Sequence, residues 1–497
     1  MHEAIAPKTD AEPGSGSGGT GSGPRDGSGT APRPGPAPGT PSGPGPGERE
    51  PLAAGLKQRH LTMLGLGGVI GAGLFVGSSG GIAVAGPGIV VSYLIAGTLA
   101  MLVMRMLGEM SSAMPASGSF SVHAERAFGR WAGFSVGWLY WFLLVVVLAV
   151  EATGAATIAS GWVPSVPQWA WVLLFMVVFT VANLAAVSNF GEFEFWFAAL
   201  KITAIVLFLG LGLLAILGVL PDTDPVGMTN LTGQGGFLPN GWSGVISGVL
   251  AVVFAFGGLE VVTIAAAESD DPARAVGRAV RSAVWRILLF YVGSMLVIVA
   301  VLPWTSMKPG QSPYVAVLDH IGVPASGQIM NIVVFVALLS ALNANLYGSS
   351  RMVFSLAERG EAPRALLRVS GGGVPRRAVL ASVAFGFVSV LLNLQWPDSV
   401  FLYMLNAVGA VLLVVWGLIA ASQLRLRRRL EREAPEKLTL KMWCFPWLTW
   451  VALGAMVIVL VLMLTDDTAR PQVLWSGAAT GAVLLVAFLR ELRGKRS

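Results

Sequence analysis

Two glycine-punctuated stretches carry the residues of this chain best placed to do chemistry. GGVIGAGLF spans Gly67 to Phe75, and FAFGGLE spans Phe254 to Glu260. Both lie inside long apolar runs, where glycine is a poor helix former. A helix that unwinds there frees N–H groups with partial positive charge on one half and carbonyls on the other. The N–H groups can hold a carboxylate and the carbonyls an ammonium, without placing a permanent charge in lipid. Glycine also admits unusual dihedrals and a close ligand. Such a pair of poles suits a zwitterion or an ω-amino acid.

Ionisable side chains inside apolar runs are the second set. Lys201 lies about six residues into its run, about 9 Å from one end at 1.5 Å per residue. Glu151 lies within LAVEATGAA, and Glu260 follows the second glycine break. Charge at such depth is costly, so each is a functional candidate. Lys201 either snorkels to the interface or is buried, where it exchanges a proton readily. Glu151 reads as a structural partner, a proton relay or an ammonium contact, and Glu260 as a brace for the unwound stretch or a proton carrier. Asn343 and Asn345 read as interhelical hydrogen-bond partners, with site lining as the second reading of Asn343. Arg105 and Glu109, spaced i, i+4, suggest an ion pair on one helix face. Glu268 reads as part of a gate network or as a solvated helix end. Trp138, Tyr140 and Trp141 read as packing and interface aromatics.

The elements that must position these groups are membrane helices. The 497 residues are 54% hydrophobic and only 12% charged, about half the charge of a soluble domain. Mean hydropathy is +0.69. Twelve apolar segments, at 62–83, 88–110, 131–158, 168–188, 195–219, 241–266, 284–304, 328–350, 378–394, 398–422, 443–464 and 473–490, each approach the length that crosses a bilayer. The predicted fold is therefore all-α. Residues 1–55, rich in Gly, Pro and Ser, read as a disordered tail without the apolar core of a signal peptide. Residues 56–490 read as the membrane domain and 491–497 as a short basic tail.

Arginine and lysine concentrate in alternate loops, from Lys57 and Arg59 through Arg274–Arg286 and Arg425–Arg432 to Arg490–Arg496. The opposite loops hold Lys308 and Arg470 with several acids. That bias predicts cytoplasmic termini and accounts for the net charge of +6 without a nucleic-acid partner. The lone Cys444 excludes an intramolecular disulfide. No nucleophile–base pair or metal cluster emerges, so neither an enzyme, a metal nor a cofactor is expected.

The two glycine breaks stand five spans apart, so a five-span repeat relating them is inverted in the membrane. Paired interruptions of this kind point to a midplane transport site. Packing of the GxxxG type competes for the first stretch, through Gly67/Gly71 and Gly73/Gly77. Dinucleotide binding fails, since no GxGxxG follows a strand. Short loops without an inserted domain favour a transporter over a sensor, and two opposite poles favour it over a channel.

Around these residues the sequence resembles the amino acid–polyamine–organocation superfamily, in its amino acid transporter branch and most closely its bacterial γ-aminobutyrate (GABA) permeases. The resemblance runs from about Leu56 to the C-terminus and rests on stretches such as LKQRHLTM, GVIGAGLFVGSS, GRWAGFSVGWLYWF, NFGEFEFWF, AAAESDDP and SLAERGEAP. It implies a LeuT-like fold of twelve helices, a five-plus-five inverted repeat with helices one and six broken and two peripheral helices. It also implies proton-coupled uptake of an amino acid across the bacterial plasma membrane, with no protein partner required. Carried over, Ile70, Gly71, Ala72 and Gly73 would offer backbone to the substrate carboxylate. Phe254, Ala255, Phe256 and Gly257 would face its amino group, with the Phe256 ring as a gate. The lysine matching Lys201 would lie behind the first break, coupling proton and substrate. The tenth span reads Asn406-Ala407-Val408-Gly409 where the family carries a serine pair. Other amino acids, such as proline, alanine or an aromatic one, and an exchange mode are the alternatives.

Overall fold

The computed structural model describes residues 70–114, 120–185, 190–220, 228–260, 272–370, 373–465 and 470–494. The tail read as disordered, the first half of segment one, Glu268 and the basic residues beyond Gly494 lie outside them. Described residues form helices and no strand. Helix α1 is a single turn, Ala72–Phe75, and α2 follows at Ser78–Ala85. Gly86-Pro87-Gly88 then turns the chain into α3, Ile89–Ala113. Next come α4 (Phe120–Phe128), α5 (Arg130–Trp162), α6 (Gln168–Ala185), α7 (Phe190–Ile216) and α8 (Gly241–Val252). Helix α9 (Pro272–Arg286) passes through a π-helical turn at Ile287–Val292 into α10 (Gly293–Val301). The remainder are α11 (Pro313–Ile321), α12 (Ser326–Glu358), α13 (Arg376–Gly386), α14 (Val388–Gln395), α15 (Val400–Glu433), α16 (Trp447–Thr465) and α17 (Arg470–Gly494).

Ten helical stretches are long and apolar enough to cross a membrane. The count differs from twelve apolar segments for a local reason. Helices α1 to α3 run together as one stretch, Ala72–Ala113, and Gly241–Phe256 is shorter than a span. The other halves of those two segments fall outside the described residues.

Burial sorts the helices into centre and periphery. Long α12 and α15 each pack against α5, and α5 and α15 are largely buried, whereas α6, α7, α16 and α17 expose apolar side chains such as Val181, Leu207, Val451 and Trp475. In water that surface would be an aggregation hazard; against hydrocarbon it costs nothing.

Arg105 and Glu109 do not form the ion pair that their spacing suggests. Glu109 is buried and accepts from the Arg427 guanidinium, from Gln423 Nε2 at 2.8 Å and from the Met442 backbone N–H. Arg105 instead donates from two nitrogens, at 3.0 and 2.8 Å, to the Lys441 carbonyl and lies over the Trp443 ring. A spacing of four places two residues on one face of α3, but what lies across that face decides the partners. Here the face meets α15 and the segment after it, and Glu109 becomes the tie among three parts of the chain.

Glu109→Ala removes the buried acceptor shared by Arg427, Gln423 and the Met442 N–H, leaving Arg427 only its half-exposed partner Glu431, a loss of about 3–5 kcal/mol. Its melting midpoint in detergent should fall well below that of Arg105→Ala, which removes contacts at a half-exposed rim. On α4, His123 is buried, its Nε2 is 3.1 Å from Ser111 Oγ, and burial, then Arg126, pushes it down to about 4. The folded imidazole is thus held neutral below its unfolded value of about 6.5. Its contribution to stability is complete above that pH and drains away as pH falls towards 4. His123→Gln should flatten this part of a melting-midpoint-against-pH curve.

Candidate functional site

The first break begins at Gly71, which is extended (φ −148°, ψ −145°) and caps the one-turn α1. The Ala72 N–H donates to both carboxylate oxygens of Glu151, each at 3.1 Å. Glu151 comes from the middle of α5 and is fully buried. The backbone donor expected to receive a substrate carboxylate is therefore engaged by a carboxylate of the protein itself. The helix then breaks again: Gly77 N–H reaches back to Ala72 O at 2.7 Å before α2 starts.

Lys201 stands behind this break. Only 1% of it is exposed, so it does not snorkel, and its Nζ has no hydrogen-bond partner among the described residues. Glu194 and Glu151 both act on it electrostatically. Sequence reasoning missed Glu194. It lies seven residues before Lys201, two helical turns away on the same face of α7, and it is as deeply buried. Its Oε2 accepts from Ser340 Oγ at 3.0 Å, and Asn343 stands beside it. Asn343 in turn accepts from Asn183 Nδ2 at 2.8 Å, bridging α6 and α12, whereas Asn345 bonds within its own helix to Ala341 O. Two carboxylates and one ammonium thus share a buried interior.

The second break follows α8. The helix tightens to a 3-10 turn at Val253–Phe256, extends at Gly257 and passes through Gly258 at φ +95°, where a side chain would be strained. Gly257 N–H bonds to Phe254 O at 3.0 Å, and Gly258 N–H donates to Glu260 Oε1 at 3.1 Å. Glu260 is buried, with Tyr140 and Trp416 beside it. Ala255 and Phe256 are buried as well, and the Phe256 ring stacks on Tyr291 at 5.0 Å.

The two breaks touch. A Cβ on Gly73 would sit 2.7 Å from Ala255 Cα and 2.8 Å from the Phe254 ring, so only glycine permits this approach. Helix α15 closes one side, with Leu405 against Gly77 and Leu412 against Gly257. Ile70, Gly71, Ala72, Gly73, Phe254, Ala255, Phe256 and Gly257 are thereby brought into one region, with Glu151 and Lys201 behind it. Asn406 and Ala407 lie on α15, where Ala407 O accepts from Ser476. Trp138 and Trp141 bond to Glu361 O and Ser382 Oγ, and Tyr140 packs edge-on to Phe120. A separate cavity of about 680 Å³ is lined by Glu125, Arg130, Trp131 and Arg359 among others, and by none of the break residues.

Gly73→Ala should lower the melting midpoint by the equivalent of about 1–3 kcal/mol of overpacking. Gly210→Ala, where a Cβ would meet nothing within 4 Å, should leave the midpoint unchanged or raise it.

Comparison with known proteins agrees with this architecture. The profile of the amino acid permease family matches residues 60–490. The chain is 50% identical over 430 residues to the gamma-aminobutyric acid permease of Bacillus subtilis, covering 86% of this chain and 92% of that one. It is 48% identical over 455 residues to the aromatic amino acid transport protein AroP of Corynebacterium glutamicum, covering 90% and 98%. The gamma-aminobutyric acid permease of Escherichia coli is 44% identical over 442 residues, covering 88% and 94%. Among solved structures, a manganese transporter mutant of Eremococcus coleocola shares the fold with a TM-score of 0.51 at 15% identity, covering 86% of this chain and 92% of that one. With broken helices in contact and buried charges behind them, this multi-pass membrane protein belongs to the amino acid permease family, whose members are transporters and not enzymes.

Proposed function

We propose that the chain is a secondary active transporter that takes up GABA or a similar small amino acid, coupled to protons, by alternating access. The observation that carries the reading is the bridge from the Ala72 N–H to Glu151, with Lys201 and Glu194 behind it. With all three side chains ionised, the triad carries one negative charge in a buried interior. One added proton brings it to zero, and burying an uncompensated charge is expensive. A proton taken up by Glu151 weakens its hold on the Ala72 N–H, and transfer between the triad members moves charge behind the break. Proton movement thereby becomes movement of helix one. Glu260, tied to Gly258, plays the matching role of a brace at the second break.

In this reading twelve spans form a five-plus-five inverted repeat with two peripheral helices, and residues 1–55 and 491–497 are cytoplasmic tails of a protein of the bacterial plasma membrane. Ile70 to Gly73 and Phe254 to Gly257 surround the substrate, Asn343 supports the triad, and the proton is the coupling ion. No cofactor is called for. The GABA permeases at 50% and 44% identity support the substrate class. A second reading, an aromatic amino acid, is favoured by the 48% identity to AroP over 90% of the chain.

Uptake of labelled GABA into proteoliposomes, competed by a panel of amino acids with and without an imposed proton gradient, separates these readings. GABA accumulation that collapses with a protonophore is expected. Strong uptake of phenylalanine or tryptophan with none of GABA would transfer the assignment to the aromatic class. Lys201→Ala should abolish gradient-driven accumulation, and full retention of it would overturn the coupling role of that lysine.

A further inference from the structure

The cavity of about 680 Å³ lies apart from both breaks, between α4, α5, α17 and the turn that follows α12. Three guanidiniums, of Arg130, Arg359 and Arg490, and three carboxylates, of Glu125, Glu361 and Glu491, line it. Helix α5 makes room for them with two glycines. A Cβ on Gly133 would sit 2.7 Å from Glu125 Cβ, and one on Gly137 would sit 3.1 Å from Arg359 Nη2.

Charges that served only to hold helices together would close on one another. Arg359 Nη2 does close on Glu361, at 2.8 Å, and Arg490 is committed to the Gly360 and Glu361 carbonyls, at 2.8 and 2.9 Å. The rest of the Arg359 guanidinium does not. Its Nη1 stands 4.0 Å from Glu125, and its buried Nε and Nη1 have no hydrogen-bond partner among the described residues. Arg130 acts on Glu361 across the same space. Trp131 and Phe134 supply an apolar wall, with Arg490 over the Phe134 ring at 5.0 Å.

A cavity of this volume falls within the range of small-ligand sites. A plain anion would meet three carboxylates there, and a plain cation three guanidiniums. A molecule with both charges meets a partner for each: its carboxylate the open donors of Arg359, its ammonium the Glu125 carboxylate. The family to which the chain belongs handles one such molecule, the amino acid. The lining comes from the arginine-rich side, which faces the cytoplasm in the proposed topology. That is the compartment that fills during uptake. Two helices join the cavity to the transport site. Helix α5 begins at it and carries Glu151, and α12 ends at it and carries Ser340, which bonds to Glu194.

We infer that this cavity is a regulatory site, at which the internal amino acid binds and slows further uptake. The inference rests on the amino acid transport reading and adds a second, non-transporting site for the same substrate. A ligand that joins Arg359 to Glu125 fastens the end of α12 to α4, and the helices flanking the triad then move less freely.

Labelled GABA bound to the purified full-length protein is counted per chain, with labelled phenylalanine in its place if the uptake panel selects an aromatic substrate. Wild type should hold a second molecule per chain. Arg359→Gln, Arg130→Gln and Glu125→Gln should each lose the second and keep the first. The last two leave the Arg359–Glu361 pair in place, so they report even where Arg359→Gln fails to fold. In right-side-out membrane vesicles, preloading with unlabelled substrate should slow initial wild-type uptake about fivefold or more, and uptake by the variants less than about twofold. Uptake into empty vesicles should match wild type in each. A wild type that holds a single molecule per chain, or inhibition by preloading that persists in every folded variant, would overturn the regulatory site and leave transport standing. Wild-type vesicles that take up no amino acid at all would overturn the transport reading, and this inference with it.

Discussion

The bond on which the other features depend is the one between the Ala72 N–H and the Glu151 carboxylate. A broken helix in a membrane leaves backbone groups that no lipid can satisfy. Glu151 satisfies one of them, yet its own charge then needs an answer, and Lys201 supplies it. Glu194 acts on the same lysine from α7. One interrupted turn of backbone thus recruits charged side chains from α5 and α7, costly singly in hydrocarbon, and polar ones from α12.

The second break solves the same problem with fewer parts. Glu260 turns back onto Gly258 two residues away, and the turn is held locally. The asymmetry has a physical basis. At the first break the acid arrives from a distant helix, so protonation there alters how two helices meet. At the second it alters a loop of three residues. In the proposed cycle, the coupling charge takes the first position and the brace the second.

How much of this was legible in the sequence depended on what a residue contrasts with. Glu151, Lys201 and Glu260 stand out because their neighbours are apolar. Glu194 does not, because Glu192 sits beside it near a helix start, where acids are expected for the helix dipole. Arg105 and Glu109 announced a shared face, but spacing along one helix says nothing of what is packed across it. The charged cavity was hidden for another reason. Arg130, Arg359 and Arg490 read as the positive bias of loops on one side, and nothing in their spacing brings α4, α5, α12 and α17 together. The helical class and most segment limits were readable because length and hydropathy alone set them.

The contact between Gly73 and Ala255 also has a mechanical meaning. Two interrupted helices that touch backbone to backbone, with no side chain as a cushion, share one fulcrum. Neither half-helix beyond the contact can swing without displacing the other, because a backbone has no rotamers with which to absorb the motion. Tilt of α2 is then passed directly to α8, with little slack in between.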